Sequence, residues 1–538
     1  MGFISNLYKA PEVNPLNNKA LSIPILNPVN KYGRTFHLAW FGFFVAFLSW
    51  FAFAPLLTVT LKTDLHLTQA EIQNSNILGL TSTLVVRVFI GPICDRFGPR
   101  KAMAGCLLAG AIPTAMAGLV TNAKGLIAIR FFIGILGGSF VPCQVWVTGW
   151  YDKSVVGRAN ALAGGWGNSG GGVTYFVMPA VFEALVRDGY TAHKAWRISF
   201  AVCPFVIIVA TAIMIITLGQ DTPTGNWSER FNTVAPVDGH KPNVGTVVDV
   251  PSDASYDMTH FAASSSTGAN SGTATPTKEG KHAGIVTPPK AELAPVEELA
   301  REEVIVKPTL SSTLRTIASM QTMLTALCYF TTFGAETTIE GNLGSFYKAA
   351  APSWSQSMAG NWAAMFMLLN IVTRPCGGYI ADVLYRVSRH DPAVKKYFMA
   401  TLGLLEGAFL LWIGLQRSMS ISTLIGAHAA AAVFLEAANG ANYALVPHIH
   451  PSHNGVVSGI TGAMGNFGGV MFSLILRYRT HVVNGAVATD YHTGYWIIAI
   501  IVLIINACAF FVPLNSGERR LEEEAFKENG YHDQISKV

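Results

Sequence analysis

Runs of about 20 apolar residues, long enough to cross a hydrocarbon core ~30 Å thick, recur along this chain and constrain its fold more than any other feature. His37 to Leu61, Ala201 to Leu218 and Tyr495 to Val512 are examples. A soluble core does not repeat a run of membrane length a dozen times. Composition agrees, with 51% of the 538 residues apolar and 13% charged, outside the soluble globular norm.

Polar breaks divide the sequence into predicted helices at 36–61, 71–94, 101–121, 125–150, 158–185 and 196–218. A second set follows at 314–346, 355–384, 396–416, 420–446, 455–479 and 492–513. The reading is an all-α membrane protein with twelve transmembrane helices in two six-helix groups. Its parts are a 1–35 N-terminal segment, a 36–218 bundle, a 219–310 central loop, a 311–513 bundle and a 514–538 tail. From Gly219 to about Lys307 the chain turns to Ser, Thr, Pro, Gly and charge, as in SSSTGANSGTATPTKEG. Such a segment buries too little apolar surface to offset chain entropy and is expected to be disordered. Its Ser/Thr density suits phosphorylation by a kinase, and a passive tether fits equally well. The tail reads as a short charged helix with a frayed end.

The first 35 residues hold no signal-peptide h-region, so the first helix is expected to insert the chain and leave the N-terminus cytosolic. Lys31 and Arg34, then Arg96, Arg100 and Lys101, then Arg386, Arg389, Lys395 and Lys396 put their connections on the same side by the positive-inside rule. Lys62, Arg187, Lys194 and Lys348 fall on the other side. The expectation is a multi-pass plasma-membrane protein with both termini cytosolic. Asn226-Trp-Ser matches a glycosylation acceptor, which a cytosolic loop would never present.

Several classes are excluded. A net charge of +5 without a basic tract does not suit nucleic acid. Seven cysteines lie singly in apolar segments, without metal or redox spacing, and read as packing residues. No nucleophile triad, metal cluster or nucleotide loop stands out, so neither an enzyme nor a cofactor is expected.

The two halves repeat each other. RVFIGPICD from Arg87 aligns with RPCGGYIAD from Arg374, pairing Arg87, Gly91 and Asp95 with Arg374, Gly378 and Asp382 at a constant offset of 287. Gly157, Gly164, Gly167, Asn168, Gly170 and Gly171 likewise match Gly455, Gly462, Gly465, Asn466, Gly468 and Gly469 at an offset of 298. Two copies of a six-helix unit place a cargo site near mid-membrane, between the halves.

Arg87 and Arg374 lie well inside apolar helices, where an uncompensated guanidinium costs ~2.5 to 3.5 kcal/mol on the lenient insertion scale. One compensation is a structural ion pair with Glu336, Glu340, Glu406 or Glu436, all in the second half. The other is an anion, gripped from both sides by planar forks that stay charged at any physiological pH. The predicted helices around Arg87 carry no nearby acid, which favours the anion. Asn168 and Asn466 each sit in a glycine-rich run, GGWGNSGGG and GAMGNFGG. There the glycines allow close helix approach, and each Asn amide either donates to an anion or joins helices.

The stretch GPICDRFGPRK from Gly91 resembles the signature loop of the major facilitator superfamily. That resemblance implies gating by Asp95, Arg96, Arg100 and the repeat-related Asp382 through charge pairs and helix-end contacts that form and break in the cycle. The paired glycine-rich runs resemble the two signatures of the nitrate/nitrite porter family, and the likeness, strongest to fungal high-affinity nitrate transporters, covers all twelve helices. It implies that Arg87 and Arg374 grip nitrate, that Phe47, Phe140, Tyr329 and Phe333 wall the pocket, and that Asn168, then Asn466, donates to the anion. It also implies proton symport with alternating access; the sequence does not identify the proton carrier, and Glu336, Glu406 and Glu436, the carboxylates inside predicted helices 7, 9 and 10, fit either that role or a charge pair with Arg374. Expected partners are nitrate or nitrite, protons and the lipid bilayer. Nitrite import, nitrate/nitrite exchange and a nitrate-sensing receptor acting through the central loop remain alternatives.

Overall fold

The computed structural model describes residues 5–14, 18–57, 60–228, 310–388, 391–483 and 486–514. Six helices form the first half: α1 (Lys31–Leu57), α2 (Ala70–Phe97), α3 (Pro99–Leu119), α4 (Ala123–Trp150), α5 (Val156–Arg187) and α6 (Ala192–Leu218). In the second half, α7 (Met320–Ala350) is followed by α8, whose segments Gln356–Leu368 and Thr373–Val387 flank a 3-10 turn at Leu369–Ile371. Then come α9 (Pro392–Leu415), α10 (Ile421–His448), α11 (Asn454–Tyr478) and α12 (Tyr491–Ala509).

Ten of these twelve are long and apolar enough to span a membrane by composition alone. The exceptions, α7 and α8, carry Glu336, Glu340, Asn370 and Arg374. Pro375 accounts for the break in α8, because its ring displaces the carbonyl four residues earlier, at Ile371, and its nitrogen has no proton to give.

The predicted boundaries shift where caps decide them. Asn30 accepts from the Tyr32 amide, so α1 starts at Lys31 rather than 36. Ser319 caps α7 by accepting from Thr322, which splits the predicted 314–346 helix and leaves Leu310–Ala318 as a separate amphipathic helix. Among the described residues, the strands that depart from the all-helical plan form an antiparallel hairpin pairing Thr480–Val483 with Ala486–Thr489 between α11 and α12. The runs THVV and AVAT are rich in β-branched residues.

The glycine repeats are packing surfaces between helices of both halves. α5 runs between α1 and α8, while α11 runs between α7 and α2. A methyl group at Gly170 would lie 2.2 Å from the Phe44 carbonyl oxygen, and one at the repeat-related Gly468 would lie 2.0 Å from that of Phe330. Across the halves, a methyl at Gly165 would meet the Asn370 carbonyl at 2.3 Å. Glycine therefore sets the helix separation.

The face that carries the α2–α3 loop is tied shut across the halves by two carboxylates. Asp95 accepts from the Gly455 and Val456 amides at 3.1 and 3.0 Å, at the start of α11. Asp382 accepts from the Arg158 amide at 2.7 Å, at the start of α5, and from Lys395 Nζ at 2.9 Å. Each acid thus satisfies free amides at the positive end of a helix in the opposite half. Lys395 and Lys396 are buried, the latter donating to the Phe510 and Val512 carbonyls.

The same face holds the beginning of the central loop. Trp227 is buried beside Ile90, Cys94, Ala102, Val141 and Val145, and its Nε1 donates to the Asp95 carbonyl at 2.9 Å. Trp146 and Trp150 donate to the Gln220 and Asp221 carbonyls, and Asp221 pairs with Arg100 at 3.3 Å. Residues 219–228 are therefore packed rather than loose; the rest of the expected disordered loop, with its kinase targets, and the tail from 515 lie outside the described residues. Before α1, Ala20 exchanges backbone bonds with Trp150 and Asp152, seating the N-terminal segment on the end of α4.

Candidate anion site between the halves

α4 is where the site begins. Its middle is a 3-10 segment, Gly134–Ser139, pressed so closely on α2 that a methyl at Gly137 would lie 2.4 Å from Thr83. That segment turns the Gly137 carbonyl toward α2, where it accepts from Arg87 Nε at 2.9 Å. Arg87 Nη1 reaches across the halves to the Gly462 carbonyl of α11 at 3.0 Å. Its Nη2 is buried with no partner among the described residues.

Arg374 stands at the start of the second segment of α8, where its Nη2 donates to the Tyr329 hydroxyl at 2.9 Å. Glu336 lies 4.0 Å from its Nη1, an ion pair too long for a hydrogen bond. Nε and Nη1 are buried without a hydrogen-bond partner among the described residues. Both arginines are inaccessible to solvent, at 0% and 1% exposure.

The signature glycines make room for these side chains. A methyl at Gly164 would lie 3.0 Å from Arg374 Nε, and one at the repeat-related Gly462 would lie 3.2 Å from Arg87 Cδ. Each glycine run therefore accommodates the arginine of the opposite half.

Both guanidiniums lie against a single ring, with their central carbons 5.0 Å (Arg87) and 5.4 Å (Arg374) from the Phe140 centroid. Arg87 also lies 5.2 Å from the Phe333 centroid. Phe140, Tyr329 and Phe333 form a parallel series, with Tyr329 6.3 Å from Phe140 and 4.9 Å from Phe333. The π-faces hold the cations in place without neutralising them. Three buried nitrogens on two cations thus remain without a hydrogen-bond partner among the described residues, a lack that a multi-oxygen anion can satisfy.

Not every expected site residue joins this centre. Phe47 packs on Phe43, Trp50 and Phe51, and its link to the arginines passes through Phe43, which meets Phe140 at 5.1 Å. Asn466 donates to the Gly462 carbonyl, one turn back in its own helix, and Asn168 donates to Glu336 Oε1 at 3.4 Å. Arg100 stays within the first half, on Asp221 and the Ile216 and Gly219 carbonyls. Arg96 is exposed and stacks on Phe97.

Four residues of the centre escape the sequence reading. Phe43 is related to Tyr329 by the same offset of 286 that relates Phe47 to Phe333, so the repeat contains the signal. Tyr443 meets Phe140 and Tyr329 edge-on at 4.7 and 5.1 Å. Asn370 and Asn439 both donate to Glu336, at 2.8 and 2.5 Å. Buried amides and phenols in EAANGANY would have been the cue.

The sequence pattern of the Major Facilitator Superfamily matches residues 39–241 and 318–531. The chain belongs to that superfamily. This facilitator is 32% identical over 520 residues to Elsinochrome transporter 1 of Elsinoe fawcettii, covering 95% of this chain and 98% of that one. It is 30% identical over 459 residues to High affinity nitrate transporter 2.5 of Arabidopsis thaliana, covering 85% and 76%. To Nitrate/nitrite transporter NrtP of Nostoc punctiforme it is 28% identical over 504 residues, covering 90% and 93%. In three dimensions it is similar to the E. coli fucose:proton symporter FucP, with a TM-score of 0.55 and 15% identity over 90% of this facilitator and 100% of that chain. These relatives are transporters rather than enzymes, and the twelve-helix, two-repeat fold is the superfamily's.

Proposed function

We propose that this facilitator imports nitrate by proton symport with alternating access, at the plasma membrane and with both termini in the cytosol. The observation that carries the reading is the pair of buried, repeat-related arginines, one from each half, resting on one aromatic ring with unsatisfied N–H groups. Arg87, Arg374 and Tyr329 grip the planar anion, while Phe140 and Phe333 exclude water and favour it over tetrahedral oxyanions. Asn168 positions Glu336, and Asn466 and Phe47 support the site from behind. The similarity to nitrate transporters over most of the chain supports the cargo.

Importing a monovalent anion against a negative interior costs about 2.3 kcal/mol per 100 mV, so passive entry is uphill and coupling to more than one proton reverses the electrical term. Asp95 and Asp382 form the cytosolic gate, releasing the ends of α11 and α5 as that face opens.

Uptake of labelled nitrate into proteoliposomes, with and without an inward proton gradient, tests cargo and coupling together. Gradient-driven accumulation by the wild type and none by Arg374→Lys is the expected result; undiminished uptake by the variant would rule out the clamp. The likeness to a relative named for elsinochrome favours a second reading, an organic cargo. Competition by nitrite and by organic anions in the same vesicles separates these cargoes.

A further inference from the structure

We infer that Glu336 is the proton-binding partner of Arg374, and that a proton on Glu336 frees Arg374 for the anion. The inference rests on the anion-import reading above and assigns its coupling step to one side chain.

Glu336 sits on α7 at 1% exposure. Its Oε1 accepts from Asn370 at 2.8 Å and from Asn168 at 3.4 Å, and its Oε2 accepts from Asn439 at 2.5 Å. Every one of these partners is a donor, which suits an ionised, acceptor-only carboxylate. Asn168 comes from the first half and the other two from the second, so the carboxylate spans the boundary that transport must open.

Its hold on Arg374 is loose. At 4.0 Å, with Nη1 and Nε making no hydrogen bond among the described residues, the pair attracts through charge alone. A proton on Glu336 removes that attraction, and an anion can then take both N–H groups. Without the proton, Glu336 and the anion compete for one cation.

The charged and titratable groups around Glu336 are Arg374 from α8, Arg87 from α2, Tyr329 and Glu340 from α7 itself, Glu406 from α9 and Glu436 from α10. Among the four acids only Glu336 has an ion-pair contact with Arg374. Glu436 shares the Asn370 amide with it, at 3.1 Å, and bonds to the Thr373 hydroxyl. Thr373 Oγ1 also lies 2.8 Å from the Leu369 carbonyl. The two neighbouring carboxyl groups are thus bridged by a single amide.

With Glu336 ionised, the centre holds two cations and one carboxylate. At this centre the anion and the proton on Glu336 cross as a neutral pair, so any further proton that reverses the electrical term is carried outside it, and nothing is oxidised or reduced.

Calorimetric titration of the purified wild-type protein with nitrate, between pH 5.5 and 8 in two buffers of different ionisation heat, tests this. The expected result is uptake of about one proton per nitrate at the alkaline end, with affinity falling about tenfold per pH unit there. Glu336→Gln should bind nitrate with an affinity that no longer varies with pH, take up no proton and fail to accumulate nitrate under a pH gradient. Proton-free binding by the wild type, or gradient-driven accumulation by Glu336→Gln, would overturn the assignment. The wild-type titration decides alone if the variant does not fold. A wild type that binds no nitrate at any pH, yet takes up another anion, would locate the failure in the cargo.

Discussion

The two halves of this facilitator share a backbone plan but treat equivalent arginines differently. Arg87 is held by carbonyl oxygens of α4 and α11, whereas Arg374 is held by a phenol and a distant carboxylate. The four buried glutamates among the described residues, Glu336, Glu340, Glu406 and Glu436, all belong to the second half. Duplication kept what packs helices and let go of what titrates. One half supplies a fixed cation, and the other a cation whose availability can be regulated.

Lysine at the two positions should break this comparison most severely. Both Arg87→Lys and Arg374→Lys are expected to lower nitrate affinity by roughly 100-fold, since a planar fork is lost at each. Only Arg87→Lys should also destabilise the fold, by about 2 kcal/mol, because one ammonium cannot reach both the Gly137 and Gly462 carbonyls. Uptake assays and melting curves of the purified variants separate the two effects.

A methyl group beside the two carboxylates that join the halves should act on both but unequally. Gly157→Ala would place it 2.1 Å from Asp382 Oδ1, an acid pinned by Lys395, and Gly455→Ala would place it 2.6 Å from Asp95. The expected cost is about 2 to 3 kcal/mol for the first and less for the second, with Gly105→Ala, which has nothing within 4 Å, as the control. Transport rates and melting temperatures give the order.

Acid should loosen one half at its terminal face. Burial pushes His450 and His453 down to about 4, and their Nε2 atoms lie 2.9 Å from Ser319 and Ser312 respectively. An unfolded histidine titrates near 6.5, so between about 6.5 and 4 the unfolded state binds more protons and stability falls as pH falls. At pH 5 each histidine should cost about 2 kcal/mol. Hydrogen-exchange protection factors across Leu310–Ala318, taken against the intrinsic rate at each pH, should fall as pH drops from 7 to 5, while those of residues 219–228 hold.

The smallest effect distinguishes two neighbouring phenols. Tyr329→Phe removes the hydroxyl on Arg374 and should cost about 1 kcal/mol, or roughly fivefold in nitrate affinity. Tyr443→Phe should cost less than about half that, because its hydroxyl donates to the Ser458 carbonyl instead. Binding titrations of the two variants measure the gap.

The repeat made much of this legible in advance. Identical spacing marked Arg87 with Arg374 and Asp95 with Asp382, and membrane energetics required compensation for the arginines. Neutral polar groups were not legible, because an asparagine costs little enough in an apolar helix to serve as glue, donor or relay. Asn466 and Asn168 thus serve their own helix and Glu336 in this structure, and Asn370 and Asn439 stayed unread. Caps and breaks moved boundaries for a similar reason: Ser319 and Pro375 act through single backbone groups that hydropathy does not register.

Trp227 has a consequence for how the halves are leashed together. Among the described residues it packs on and bonds to the first bundle, as Gln220 and Asp221 do, so the stretch after α6 travels with that bundle as ballast. The stretch seated on the first bundle therefore runs on past Leu218 to Trp227, whose Nε1 ties it to the backbone of Asp95.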